Sequence, residues 1–173
     1  MTLDPRATST RTFVLWPIAA MIHGLVVRGR LDLRFAPAAL AGYLCFRSAG
    51  RYRTARGGGG PGMANPPERI VTSGPYAVSR NPMYLGHLVT FASLVGATRS
   101  LLFASLFGWH LRWFDERARR DEASLAELFG EEYVRYRDEV PRWFPSTPKE
   151  LVAAWHRVRN PRMDPASPSG SVV

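Results

Sequence analysis

Along the first two thirds of the chain, uncharged stretches alternate with arginine-rich ones. Four runs carry no Asp, Glu, Lys or Arg: 12–27, 35–46, 81–98 and 100–111, of 16, 12, 18 and 12 residues. Arginines bracket every one of them. A bilayer core takes about 20 apolar residues in a helix, with a lower limit near 17. Only 81–98 meets that unaided. Arginine buries its stem and keeps its head in water, which lengthens the usable span at each end. The pattern therefore predicts short membrane helices near 12–28, 33–48, 82–97 and 99–114. A water-soluble bundle with buried helices would show the same runs. The expected fold class is all-α: an integral membrane helical bundle of about four short transmembrane helices, with cytoplasmic helices at the C-terminal end.

The first run does not read as a cleaved signal peptide. Val26-Val27-Arg28-Gly29-Arg30 follows it, with no small-x-small cleavage site. It reads as a retained anchor kinked at Pro17, a feature that membrane helices tolerate. Beyond residue 114 the pattern becomes amphipathic. In Asp115–Gly130, helical spacing puts Glu122, Leu125 and Phe129 on one face. Charge spacing alone favours an exposed ion-pair ladder there, Arg117 to Asp121 and Arg119 to Glu122. Gly130 breaks the helix, and Glu131–Tyr136 begins another with Tyr133 and Tyr136 on one side. Those tyrosines suit interfacial anchors or the walls of a binding site. Thr147-Pro148-Lys149-Glu150 is a capping-box pattern. Leu151, Trp155 and Val158 then share a face, as in a helix lying on a membrane or packed on the core. The tail from Pro161 is rich in Pro, Ser and Gly and reads as disordered. Residues 1–145 are expected to form one membrane domain, and 146–173 a surface helix and tail.

Charge sharpens this picture. The 173 residues carry a formal net charge of +9, and Lys149 is the lone lysine. Residues 1–114 hold 13 basic and 3 acidic side chains; residues 115–173 hold 10 and 11. Six arginines fall between 47 and 80, against one, Arg99, in the last short loop. The positive-inside bias then puts both termini and the 47–80 loop in the cytoplasm, in an integral protein of a bacterial inner membrane. Three arginines in the first short loop act against that bias or serve as interfacial anchors. A pI near 10.7 also raises a nucleic-acid binder. Its arginines would form one face, whereas these bracket apolar runs, so no nucleic-acid partner is expected. The single Cys45 excludes a disulfide framework, and four isolated histidines offer no metal pair, so no metal is expected. Gly57–Gly60 with Pro61-Gly62 reads as a flexible connection or a gate.

Gly74-Pro75 marks a turn, and Asn81-Pro82 a helix start. That start could simply be capped, or could hold an anion on its free N–H groups. Gly86, one turn on, would let a ligand or a neighbouring helix approach closely.

Two segments carry a resemblance. The first is Gly74-Pro75-Tyr76 with Arg80-Asn81-Pro82-Met83-Tyr84-Leu85-Gly86. The second is Arg120-Asp121-Glu122, Leu125, Phe129-Gly130, Tyr133, Tyr136, Val140-Pro141-Arg142 and Phe144-Pro145. In this order, separated by one apolar hairpin, they resemble the isoprenylcysteine carboxyl methyltransferase and phospholipid methyltransferase families of integral membrane enzymes. The match covers roughly 69–145. It departs at Asn81, where many relatives have histidine, and at Asp121, which replaces the first glutamate of an acidic pair.

The resemblance implies S-adenosyl-L-methionine bound at the cytoplasmic face, and methyl transfer to a lipophilic acceptor: an isoprenylcysteine-type carboxylate, a lipid amine or a small hydrophobic molecule. Tyr76, Asn81, Pro82, Tyr84 and Gly86 would line the cofactor pocket, with Glu122, Tyr133 and Tyr136 closing it. Arg80 and Glu122 are the candidates for the reacting centre. Methyl transfer from a sulfonium asks the protein mainly to position donor and acceptor. Glu122 would bind the donor's amino group or hydroxyls, or act as a base for an acceptor that loses a proton. A carboxylate acceptor needs no base, and Arg80 would orient it as a fork-like donor. The alternative is a non-catalytic membrane adaptor that keeps the fold.

Overall fold

A computed structural model describes residues 7–27, 29–60, 63 and 65–159. Their regular structure is helical, and no strand occurs among the described residues. The helices are α1 (Thr8–Val27), α2 (Ala36–Gly57), α3 (Pro82–Thr98), α4 (Leu101–Phe129), α5 (Glu131–Glu139) and α6 (Pro148–Arg159). Short 3-10 turns occupy Leu33–Phe35 and Gly74–Ala77. The chain divides into two compact units, Met1–Arg47 with Met83–Arg117 and Ser48–Pro82 with Ala118–Val173.

In the first unit, π-type turns at Arg11–Leu15 and His23–Val27 flank the segment that holds Pro17. Proline cannot donate to the preceding turn, and a widened turn accommodates the lost bond. Ala20 packs with Leu94 and Phe103, joined by Trp16, Ala19 and Val95. The backbones of α2 and α3 meet at two glycines: a Cβ on Gly86 would stand 2.5 Å from the Gly42 carbonyl oxygen. His87 is buried among the rings of Phe13, Phe46 and Phe114, with centroids 4.8, 4.8 and 5.1 Å away. The hydroxyls of Thr90, Ser93 and Thr98 donate to carbonyls four residues back, at 3.0, 2.7 and 2.8 Å. These three hydroxyls inside α3 are thus satisfied by their own helix, whereas buried His87 Nδ1 has no hydrogen-bond partner.

The expected helix near 82–97 is α3 to within a residue. Two others run further than their apolar cores. The helix expected near 33–48 continues to Gly57, where four glycines end it. The helix expected near 99–114 continues to Phe129, since no Gly or Pro interrupts residues 109–129. Among the described residues, Thr8–Val27 is the helix long and apolar enough to cross a membrane. The length criterion had pointed to 81–98 instead. The difference arises because Thr8–Arg11 joins the first helix, while α3 has 17 residues.

In the second unit the Gly57–Gly60 stretch is tightly held. The amides of Glu68 and Arg69 donate to the Gly57 carbonyl at 2.7 and 3.2 Å. Gly59 has φ +65°, and a side chain there would strike the Pro66 carbonyl. Gly130 (φ +53°) separates α4 from α5. Ile70, Tyr133, Tyr136 and Val140 form the core, with Leu125, Ala126 and Phe129 against them. The capping box holds: Ser146 and Thr147 amides donate to Glu150 Oε2, at 2.7 and 3.2 Å, and the Glu150 amide donates to Thr147 Oγ1 at 3.2 Å. Arg28, Pro61-Gly62 and the tail from Pro161 lie outside the described residues.

Candidate active site

The second unit encloses a polar cleft. Its lining includes Arg53, Arg69, Tyr76, Arg80, Asn81, Asp121, Glu122, Tyr133 and Tyr136. The enclosed part measures about 50 Å³, and the cleft with its open mouth about 460 Å³. Three segments build it: the end of α2, the turn before α3, and the second half of α4 with α5.

Glu122 is its centre, 7% exposed. Arg142 grips the carboxylate with both arms of its fork, Nε to Oε1 at 3.0 Å and Nη2 to Oε2 at 2.9 Å. The Asn81 amide donates to Oε1 at 3.2 Å. Arg80 Nη1 stands 3.5 Å from Oε2. A buried carboxylate is tolerable only when so compensated. The exposed ladder expected from charge spacing is therefore corrected at Glu122, which points inward. The geometric reason is the shared face of Glu122, Leu125 and Phe129, which burial of the two apolar side chains carries into the core.

Backbone bonds fix this arrangement. The Arg80 amide donates to the Pro141 carbonyl at 3.0 Å. The Arg142 carbonyl accepts from Ser79 Oγ and from the side-chain Nδ2 of Asn81, each at 3.2 Å. The Tyr136 hydroxyl donates to the Tyr76 carbonyl at 2.8 Å, and the Tyr76 hydroxyl to the Ala49 carbonyl at 3.4 Å. Tyr133 and Tyr136 are buried walls of the cleft, which decides against interfacial anchoring. Burial, reinforced by the charge of Glu122 and opposed by Arg80, pushes the Tyr133 hydroxyl up to about 12. Burial raises Tyr136 well above the ordinary tyrosine range.

Two guanidiniums are left partly unsatisfied. Arg80 Nε and Nη1, and Arg53 Nη2, are buried with no hydrogen-bond partner. Buried donors of this kind are rare and costly, and they mark a place for an acceptor.

The structure thus gathers Tyr76, Arg80, Asn81, Glu122, Tyr133 and Tyr136 around one cleft. Pro82 is buried at the first position of α3. Tyr84 and Gly86 belong to the first unit, where the Tyr84 ring lies 5.3 Å from that of Phe114 and Gly86 meets Gly42. Sequence reasoning missed Arg142 and Arg53. Arg142 had a signal, since a buried glutamate needs a cation and Pro141-Arg142 belongs to the second motif. Arg53 had none, being one of several arginines in a basic stretch.

An all-helical protein with an arginine-rich cleft around a buried glutamate is no soluble nucleotide-binding α/β domain. Its sequence matches the model of the phospholipid methyltransferase family over residues 43–132, half of the chain, and the protein belongs to that family. Curated relatives are named protein-S-isoprenylcysteine O-methyltransferase. The one from Schizosaccharomyces pombe is 37% identical over 82 residues, 46% of this chain and 34% of its own. The one from Homo sapiens is 32% identical over 139 residues, 76% of this chain and 45% of its own. A B form from Arabidopsis thaliana is 35% identical over 81 residues, 44% of this chain and 40% of its own. The chain thus spans less than half the length of these relatives. No solved structure matches it.

Proposed function

We propose that the protein transfers a methyl group from S-adenosyl-L-methionine to a lipophilic acceptor bearing a carboxylate. The observation that carries this reading is a saturated Glu122 beside a buried Arg80 whose Nε has no hydrogen-bond partner. Glu122 already meets two nitrogens of Arg142, the Asn81 amide and Arg80. A carboxylate offers about four acceptor positions, so little capacity remains for taking a proton. An amine acceptor needs that capacity and a carboxylate does not. Arg80, whose buried Nε has no hydrogen-bond partner, has a donor that would help hold one.

The lining fits the cofactor's chemistry. Tyr76, Tyr133 and Tyr136 give aromatic walls, and Asn81 with Glu122 gives a polar end. When bound, S-adenosyl-L-methionine supplies a methyl already activated on a sulfonium. Arg80, backed by Arg53, then orients the acceptor anion. Glu122 and Arg142 position Arg80, and the tyrosines exclude water. Pro82, Tyr84 and Gly86 are proposed for the cofactor side on the motif alone. Residues 1–145 form the methyltransferase domain in this reading, and 146–173 an accessory helix and tail.

We place the protein in a membrane, a bacterial inner membrane with the cleft and both termini on the cytoplasmic side. Support comes from the family and from α1, which is long and apolar enough to span. Large apolar side chains are also exposed along the first unit, Ile22, Leu25, Leu44 and Trp109 among them.

Binding of radiolabelled S-adenosyl-L-methionine to detergent-purified protein tests the reading. Saturable binding is expected, lost in Glu122→Ala and kept in Arg80→Gln. Transfer to a prenylated cysteine should fail in Arg80→Gln. A folded wild type that binds no cofactor would leave the adaptor alternative.

A further inference from the structure

The first unit carries a second cleft, of about 490 Å³, between the 29–35 and 97–100 loops. Arg30, Leu31, Asp32, Leu33, Arg34 and Arg99 line it, with Ala97 and Thr98. We infer that this cleft binds the phosphate of an anionic phospholipid.

The loops are built to hold guanidinium groups in place. The Asp32 amide donates to the Ala97 carbonyl at 2.9 Å and joins them. Arg34 grips Asp32 with both arms, Nε to Oδ1 at 2.9 Å and Nη2 to Oδ2 at 2.7 Å. Arg99 Nη2 reaches the same Oδ2 at 3.1 Å. Two arginines therefore converge on a single carboxylate oxygen. Three arginines against one aspartate leave the cleft with a surplus of two positive charges. Arg99 also has φ +48°, a left-handed conformation disfavoured for a non-glycine residue. That conformation ends α3, the Arg99 amide donating to the Val95 carbonyl at 2.7 Å, and it fixes where the Arg99 side chain leaves the backbone. A phosphodiester would compensate the surplus charge and accept from the guanidinium forks.

The rim selects a lipid over a free anion. Leu33 is 69% exposed, and Leu101, two residues after Arg99, is 87% exposed. A soluble phosphate has no use for exposed leucines beside its charge partners, whereas acyl chains leave a phosphate in just that direction. Arginines next to exposed apolar side chains at helix ends match the headgroup boundary of a bilayer. The inference does not rest on methyl transfer.

The test uses the full chain in non-ionic detergent, with lipid binding read by native mass spectrometry and by thermal unfolding. The probes are phosphatidylglycerol, phosphatidylcholine and sodium phosphate. Phosphatidylglycerol should bind saturably and raise the unfolding temperature, well above phosphatidylcholine at equal concentration. An arginine near an anionic surface contributes about 1 kcal/mol, or about fivefold in affinity. Arg30→Gln, which leaves both Asp32 pairs intact, should therefore weaken phosphatidylglycerol about fivefold without changing the unfolding temperature in detergent alone. The Arg30→Gln, Arg34→Gln double variant should weaken it about 25-fold. Equal response to both lipids, displacement by sodium phosphate at matched concentration, or undiminished affinity in both variants would each overturn the inference.

Discussion

Thr90, Ser93 and Thr98 in the first unit return their hydroxyls to their own helix, four residues back. In the second unit Ser79, Asn81 and Arg142 reach partners 63, 41 and 20 residues away. Inside its helices the first unit returns these hydroxyls to nearby carbonyls and packs by backbone approach and ring contact, as at Gly42, Gly86 and His87, while its long-range polar ties gather at the Asp32 and Arg99 loops. That economy suits helices in apolar surroundings, where an unpaired polar atom is expensive. The second unit instead ties three segments into one polar network around Glu122. Its turns supply Arg80, Asn81 and Arg142, and its helices supply Glu122, Tyr133 and Tyr136. A motif that straddles the two, Arg80 to Gly86, therefore contains two kinds of residue. Arg80 and Asn81 belong to the network, while Tyr84 and Gly86 are held by packing in the first unit.

The sharpest way to break this contrast is to remove one member of the network. Truncating one partner of a buried ion pair costs about 3–5 kcal/mol, because the other charge is left uncompensated. Glu122→Ala strands Arg80 and Arg142 and should lie within that range. Arg142→Ala should cost less, since its side chain is 28% exposed and water can replace it in part. Thermal unfolding of both variants checks the order, and a reversed order would mean that Arg142 also supports other parts of the unit. In the first unit Gly86→Ala should cost about 1–3 kcal/mol by forcing the α2 and α3 backbones apart. If Gly86 only packs, folded Gly86→Ala protein keeps its cofactor affinity. A loss of affinity at unchanged stability would instead return Gly86 to the site.

Alkaline pH probes the second unit through its buried tyrosines. Burial pushes the folded Tyr133 hydroxyl up to about 12 from about 10 in the unfolded chain, and raises Tyr136 well above the ordinary tyrosine range. The unfolded chain loses these protons first as pH rises. The stabilisation is complete below pH 10 and fades between about 10 and 12. Tyr133→Phe should flatten that alkaline decline in an unfolding titration. Tyr136→Phe also removes the bond to the Tyr76 carbonyl, which costs about 1–3 kcal/mol at every pH because a buried acceptor is left bare.

The helices were legible because apolar runs between arginines are long-range in pattern but local in cause. Their ends were less so. Nothing in the 35–46 run says that its helix continues to Gly57, because Arg47 to Arg56 read as a loop by charge and include Gly50, although the arginines and alanines there favour a helix. At the site, spacing alone offered Glu122 an exposed partner on its own helix. Its true partner, Arg142, lies beyond Gly130, α5 and Pro141, a distance that helical periodicity cannot span. Arg53 was hidden for the same reason: only the fold distinguishes a guanidinium turned into a cleft from its neighbours in solvent.

The smallest expected effect concerns α6, where local signals sufficed. Glu150 accepts from the Ser146 and Thr147 amides, and these bonds hold its carboxyl below the ordinary carboxylate range. The unfolded segment takes up a proton before the folded one as pH falls. The cap is intact above the ordinary glutamate range and is lost as pH drops through the lowered value. Amide hydrogen exchange in the first turn of α6 should therefore accelerate in acid, while exchange around Tyr133 stays slow. Glu150→Gln should remove the acid sensitivity and keep a weaker cap through Thr147 Oγ1. Arg157 tethers this helix through the Ala77 carbonyl at 2.9 Å, while Leu151, Val152, Trp155 and Val158 remain exposed. Fraying at the cap should thus stop before Arg157. If acid instead releases the Tyr136 bond to Tyr76 as well, α6 and the cleft form one cooperative piece, and the network extends further than its hydrogen bonds indicate.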